Sequence, residues 1–382
     1  MKDYERCQVT RRSSPFRPSF GINPPLVAGR DVVVDELREA IRGGPGAAGR
    51  AALFTGNRGI GKTVMLNEVE ALAREESWLV ISETATPGLL ARLRTEQLPA
   101  AADRLRQAPR DRTRVSGVTL PAGLGAVELD LPDTSDPGGL RAQLETLTDA
   151  LAPHGTGLLI TLDEVHARAA RDDIVQLCAL VQHAFREERD VAFAAAGLPA
   201  AVQDLLTADV STFLRRARRF VLEPLSPVFA EEALRVPIRE NERSISATDL
   251  RVAADATHGY PYLTQVIGDQ IWRQDPDSEV ITSAHVDAGV RAAIREFGTA
   301  VHEPALNDLS AVDRSFVKAM ALDAGPSSTG EIASRLGRAH SYISQYRSRL
   351  IVAGIIEPVG HGRVRFTIPY MRDFVVANLD RL

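Results

Sequence analysis

Eight residues, Gly56-Asn57-Arg58-Gly59-Ile60-Gly61-Lys62-Thr63, hold the densest chemistry in the chain. Three glycines let the backbone curl until several N–H groups converge on one anion, which a Cβ would obstruct. Lys62 and Thr63 complete the spacing G-x-x-x-x-G-K-[ST] of a phosphate-binding loop. A lysine there reaches the β- and γ-phosphates of a nucleoside triphosphate, and the adjacent hydroxyl can ligate Mg²⁺. The predicted nucleotide contacts are therefore Gly56, Asn57, Arg58, Gly59, Ile60, Gly61, Lys62, Thr63 and Val64, with ATP and Mg²⁺ as the predicted cofactors. Lysine usage supports this. Only Lys2, Lys62 and Lys318 are lysines among 45 basic residues, so a compact ammonium stands where it must fit between phosphates.

A second constellation lies about a hundred residues on. Leu158-Leu159-Ile160-Thr161-Leu162 is an apolar run that delivers Asp163 and Glu164 at its end. Asp163 is expected to join Thr63 as a metal ligand, acting through water, and Glu164 to orient and activate the attacking water. The competing reading is an ordinary helix N-cap, a position both residue types favour. His166 is either a partner of Glu164 or a surface residue. A third group is Arg215, Arg216, Arg218 and Arg219, set just before a short apolar run. Some of these would complement a helix dipole. Arg216 is the favoured arginine finger, supplied from a neighbouring subunit to the charge developing on the γ-phosphate.

These residues need elements to position them. The apolar run at Ala51–Phe54 reads as a strand, followed by a helix over 62–75. Further strands are predicted at 78–82, 157–162, 191–196 and 219–222, with helical patterns at 87–107, 139–152, 171–188 and 200–214. Two β-like runs within 113–130 read as an inserted hairpin. Strands alternating with helices around a phosphate loop imply an α/β parallel sheet covered on both faces. Residues 1–25, rich in Arg and Pro, read as an extended arm, and the core then spans 26–224. Residues 225–300 read as a purely helical lid broken at Pro237, Gly259-Tyr260-Pro261 and Asp275-Pro276. Residues 301–382 give helix, helix, turn, helix and two strand-like runs, the order of a winged helix-turn-helix.

Composition sets bounds. With 382 residues, 44% hydrophobic and 25% charged, the chain is expected to be globular and multi-domain. No apolar run approaches the length of a membrane span, and the first residues lack an apolar signal core, so a cytoplasmic location is expected. Cys7 and Cys178 offer neither a disulfide framework nor metal-ligand spacing. The net charge of −5 argues against uniform affinity for nucleic acid. From Ala305 onward, however, ten Arg and Lys stand against seven Asp and Glu. The candidate recognition helix presents Ser341, Tyr342, Gln345, Arg347 and Arg349, residue types suited to base edges and phosphates. Arg363 and Arg365, two apart on a wing strand, could grip phosphate. Double-stranded DNA is the expected partner of these seven residues, and a protein partner is the alternative.

The order of Gly29-Arg30-Asp31, the phosphate loop, Asp163-Glu164, the arginine cluster before Pro224-Leu225, the helical lid and the winged helix resembles that of AAA+ ATPases. The lid sequence Gly259-Tyr260-Pro261-Tyr262-Leu263-Thr264-Gln265 also looks like the lid helix of archaeal origin-recognition initiators and STAND-like archaeal-type ATPases. The resemblance covers roughly residues 26–370. It implies a nucleotide-dependent homo-oligomer, and an ATPase switch that binds ATP, hydrolyses it slowly and engages DNA. The alternative is a regulator whose winged helix contacts protein and whose nucleotide state gates oligomerisation. Two departures bear on turnover. The strand at 191–197 ends in Ala194-Ala195-Ala196-Gly197 where the family carries a polar sensor, and the lid has Tyr260-Pro261-Tyr262 where a second-sensor arginine is expected.

Overall fold

The computed structural model describes residues 12–19, 21–106, 139–165, 168–207 and 214–381. The hairpin predicted within 113–130 and His166 lie outside the described residues. The chain divides into two compact units, Arg30–Glu223 and Met1–Gly29 with Pro224–Leu382.

In the first unit, helix α1 (Asp31–Arg42) precedes β1 (Ala51–Thr55), α2 (Lys62–Glu75) and β2 (Leu79–Thr84). A helical stretch over Leu89–Arg106 comprises α3 (Leu89–Arg92), a π-helical turn and α4 (Leu98–Arg106). Then come α5 (Leu140–Leu151), β3 (Leu158–Asp163), α6 (Arg171–Arg186), β4 (Val191–Gly197), α7 (Pro199–Thr207) and β5 (Arg218–Val221). The strands form one parallel sheet in the order β2-β3-β4-β1-β5. β4 is buried along its whole length, and β1 and β3 are buried at every position but one end. Such strands sit in the middle of a covered sheet, which is why they read as unbroken apolar runs rather than alternating ones. Register follows: Thr55 pairs with Gly197, and Leu162 with Ala195. The ends of β1 and β3 therefore emerge on one edge with only β4 between them, which brings the phosphate loop and Asp163 together.

The second unit contains α8 (Pro227–Glu240), α9 (Ala247–Ala256), α10 (Pro261–Gln274) and α11 (Ser283–Phe297). Two expectations for this segment are corrected. Pro237 does not break α8, which continues to Glu240. Proline removes one hydrogen bond there, but it is buried beside Ala233, Leu234 and Ile238, whose packing carries the helix through. Nor is the segment purely helical, because Ser244–Ile245 (β6) and Val280–Ile281 (β7) pair as a short parallel ladder. Of the arm, residues 1–11 lie outside the described residues, and residues 12–17 are docked along α10. Phe16 is buried against Gly268, where a Cβ would approach its ring to 2.4 Å. Trp272 Nε1 donates to the Arg12 carbonyl at 3.2 Å, and the Arg17 N–H donates to Gln265 Oε1 at 3.1 Å.

Beyond a short α12 (Glu303–Asn307), the unit ends in α13 (Ala311–Ala321), β8 (Ser327–Ser328), α14 (Thr329–Leu336), α15 (His340–Val352), β9 (Ile356–Pro358), β10 (Arg363–Phe366) and α16 (Met371–Ala377). β10 lies between β8 and β9, antiparallel to both. Three helices and this small sheet form the winged helix. Gly337 (φ 58°) supplies the left-handed residue that stops α14 and turns the chain into α15. Upstream of it, His302 is buried between the rings of Phe297 and Phe374, its Nε2 2.7 Å from the Pro369 carbonyl. Burial pushes its pKa down to about 4, so it stays neutral and serves as packing.

The docked arm gives a first prediction. Phe16→Ala removes a buried ring from α10 and should cost about 3 kcal/mol in this unit. Urea unfolding should show that loss, and limited proteolysis should cleave faster at Arg12 or Arg17. An unchanged midpoint and an unchanged cleavage rate would contradict the packing role.

Candidate nucleotide site and winged-helix surface

The phosphate loop is shaped by two glycines in particular. At Gly56 a Cβ would lie 2.6 Å from Ile60 Cγ2 and 2.8 Å from the Leu222 carbonyl, so the loop can close only around a bare backbone. Gly61 (φ 97°) is the residue preceding α2, and no atom lies within 4 Å of its missing Cβ. The first N–H groups of α2 thus meet open space at the positive end of a 14-residue helix. That is an anion site by construction. Ile60 is buried and anchors the loop, while Asn57, Arg58, Gly59 and Val64 are half-buried around it.

Lys62 folds back over the loop and donates to the carbonyls of Gly56 at 3.0 Å and Asn57 at 2.8 Å. Burial pushes its pKa down to about 8, against the opposing pull of Asp163 and Glu164. A phosphate would supply the stronger counter-charge that the ammonium lacks. Thr63 Oγ1 donates to Asp163 Oδ2 at 2.6 Å, across 100 residues of sequence. A hydroxyl and a carboxylate held together are hard oxygen donors of the kind Mg²⁺ takes, so the pair fits that ion. The other Asp163 oxygen accepts from the Glu164 N–H at 2.7 Å. Glu164 itself is exposed and left-handed (φ 60°), a conformation costing a non-glycine residue on the order of 1 kcal/mol. The bend takes Glu164 out of the strand and sets its carboxylate beside the loop's edge of the sheet.

The end of β4 offers Ala195, Ala196 and Gly197 next to β1, all buried and none polar. The Val165 N–H donates to the Ala196 carbonyl at 3.0 Å, so backbone occupies this place. Support beneath the site comes from Glu70 on α2. It accepts from Thr161 on β3 at 2.6 Å and from Arg74 at 2.8 Å. Sequence reading missed Glu70, whose signal was a carboxylate on the inward face of an otherwise apolar helix stripe.

Arg216 stands on the opposite edge of the sheet. Because β5 is parallel to β1, a residue before Arg218 lies about 13 Å or more from the loop that follows Thr55. It is exposed, with no hydrogen bond or ion pair among the described residues. Its neighbours are occupied: Arg215 donates to the Leu206 carbonyl, Arg218 pairs with Glu36, and Arg219 reaches the Arg215 carbonyl. Arg216 cannot serve the phosphate loop of its own chain.

On the winged helix, Ser341 and Gln345 are exposed, and Tyr342 and Arg347 are half-buried. Arg349 is committed to structure. It pairs with Asp313, which is buried on α13, at 2.7 Å, and that carboxylate also accepts from Ser310 at 2.6 Å. Arg365 pairs with Glu357 at 2.5 Å, and Arg363 donates to the Pro326 carbonyl at 2.9 Å. Sequence reading overlooked a stacked row in which Arg338 lies over Tyr342 (5.2 Å), Tyr342 against Tyr346 (4.7 Å) and Arg349 over Tyr346 (5.3 Å). The four-residue spacing of Arg338, Tyr342 and Tyr346 was its visible signal. Among the described residues no helix is long and apolar enough to cross a membrane.

Residues 26–193 match the AAA ATPase domain family, and residues 299–375 match a domain of unknown function, DUF8462. No curated protein matches the chain. Among solved structures, the Walker-type ATPase PABY2304 of Pyrococcus abyssi aligns over 96% of this chain and 98% of its own, with 14% identity and a TM-score of 0.66. The Aeropyrum pernix ORC2 protein in its ADPNP–ADP complexes aligns over 95% and 98%, with 13% identity and a TM-score of 0.64. At these identities the likeness is one of fold: a P-loop core of AAA+ type, with the architecture of archaeal origin-recognition proteins.

Lys62 supplies the second prediction. Its proton affinity in the folded chain is low and a bound phosphate raises it. Between pH 8 and about 10 the free protein therefore lacks a proton that the complex holds. ATP binding measured calorimetrically at pH 8.5 in buffers of different ionisation enthalpy should show net proton uptake. Lys62→Ala should abolish both the uptake and most of the affinity while leaving the fold intact. Equal affinity in the two proteins would refute the phosphate-loop assignment.

Proposed function

Taking residues 26–193 as an AAA ATPase domain, we propose that this protein is an ATP-binding, slowly hydrolysing switch that engages duplex DNA through its winged helix. The observation that carries the nucleotide half is the Thr63–Asp163 hydrogen bond, in which two hard oxygen donors meet at the start of α2. The origin-recognition relative with ADPNP and ADP bound supports the same use of the fold. ATP would lie with its phosphates over the N–H groups of Gly59 to Val64 and against Lys62. Mg²⁺, held by Thr63 and by Asp163 through water, would neutralise phosphate charge. Glu164 would take the proton of the attacking water. Arg216 would act on the nucleotide of a second copy, because its edge of the sheet faces away from its own loop. Hydrolysis would be slow, since the end of β4 offers only Ala195, Ala196 and Gly197 to position the water.

The DNA half rests on charge. α15 carries no acidic residue, its exposed Ser341 and Gln345 share the segment with Arg338 and Arg347, and Arg363 is exposed on β10. Arg349 and Arg365, tied to Asp313 and Glu357, would contribute field rather than base readout. Those same ion pairs favour the second reading, in which the winged helix contacts protein. A surface with few free cations binds DNA weakly as one copy, and ATP-dependent oligomerisation would add the copies.

Two measurements test this. Glu164→Gln should retain ATP binding and lose at least a hundredfold in turnover, because the amide keeps the shape but cannot accept a proton. If the wild type shows no turnover either, the protein binds nucleotide without hydrolysing it. Duplex DNA titrated with and without ATP should bind, more tightly with ATP. Arg338→Ala or Arg363→Ala should lower the salt slope by about one unit each. Absence of binding at low salt in both nucleotide states would defeat the DNA reading and leave the protein-contact one.

A further inference from the structure

The chain contains a second glycine-rich loop, Gly43-Gly44-Pro45-Gly46-Ala47-Ala48-Gly49-Arg50, that nucleotide binding at the first loop does not use. It borders a cleft of about 460 Å³ on the edge of the sheet opposite the phosphate loop, where β1, β4 and β5 begin. That volume lies in the range of small-ligand sites, about 300–1,000 Å³. Among the described residues no acidic side chain lines the cleft, whereas Arg50, Arg186, Arg189 and Arg216 do.

Two of these arginines are already satisfied. Arg50 is buried, pairs with Asp190 at 3.2 Å and donates to the Ala40 carbonyl at 2.7 Å. Arg189 is held by Asp149 and Glu187. Arg186 and Arg216 are exposed and have no hydrogen bond or ion pair among the described residues. The loop has unused donors as well. Gly46 (φ 83°) and Gly49 (φ 90°) are left-handed, and of the loop from Gly46 to Arg50 the N–H groups of Ala47 and Arg50 bond to backbone carbonyls, at Gly44 and Ala47. Alternating conformations of this kind leave N–H groups able to gather around an anion. The negative end of α6 adjoins the cleft but is covered. The N–H groups of Glu187, Glu188 and Arg189 cap the carbonyls of His183, Phe185 and Ala184.

We propose that this cleft is a second anion site that takes a phosphate-bearing ligand no larger than a mononucleotide, gripped by Arg186, Arg216 and the backbone of the Gly46–Gly49 loop. Arg216 would then serve either this ligand or a neighbouring copy, and Arg186 belongs to the cleft alone.

The test uses the Lys62→Ala full-length chain, so that the first loop is silent, titrated calorimetrically with inorganic pyrophosphate and separately with AMP. One binding event per chain is expected, weakened at least tenfold by adding Arg186→Glu and falling with salt. Binding of pyrophosphate alone identifies a bare phosphate group as the ligand chemistry, and tighter binding of AMP identifies a nucleotide. No heat from either probe, or binding indifferent to Arg186→Glu, overturns the proposal. ATP binding by the single variant Arg186→Glu reports the first loop separately and should match the wild type. If Lys62→Ala does not fold, Lys62→Gln takes its place.

Discussion

The hydrogen bond from Thr63 to Asp163 joins the start of α2 to the end of β3, and the site depends on that junction. Sheet order makes the junction: placing β4 between β1 and β3 sets the two strand ends on one edge at a separation that two short side chains can span. The burial of β4 then matters as much as any polar residue. Were it an edge strand, the phosphate loop and the carboxylates would lie on different parts of the surface.

The same edge shows how backbone and side chains divide the work. Glycine at 56 and 61 gives the loop its cavity and α2 gives it polarity, so anion binding is largely a backbone property. Lys62 adds a charge that burial disfavours, which holds its pKa down to about 8. A charge destabilised in the free state and satisfied in the bound one makes the chain responsive to its ligand. Glu164 repeats the pattern in its backbone, held left-handed beside the carboxylate it follows.

Much of this was legible in the sequence, for reasons specific to the residues. The phosphate loop has fixed spacing because phosphate geometry is fixed, and buried parallel strands announce themselves as apolar runs. The order helix, helix, turn, helix and two strands of the last segment was legible too, and Gly337 supplies the turn. What the sequence concealed was partnership. Nothing local to Arg349 reveals that Asp313, 36 residues earlier, would claim its guanidinium, or that Glu357 would claim Arg365. Pro237 misled because a breaker was judged without the packing that holds α8 through it. The docking of the arm was hidden likewise, since the partner of Phe16 is Gly268, far along the chain.

The central claim is that the backbone from Gly56 to Thr63 holds the phosphates of ATP with Asp163 beside them. Hydrogen exchange of the backbone amides, followed by mass spectrometry with and without ATP and Mg²⁺, measures this directly. Slower exchange is predicted across Gly56–Leu66, extending to Asp163-Glu164-Val165 only when Mg²⁺ is present. Unchanged exchange in these peptides at saturating ATP would contradict the account.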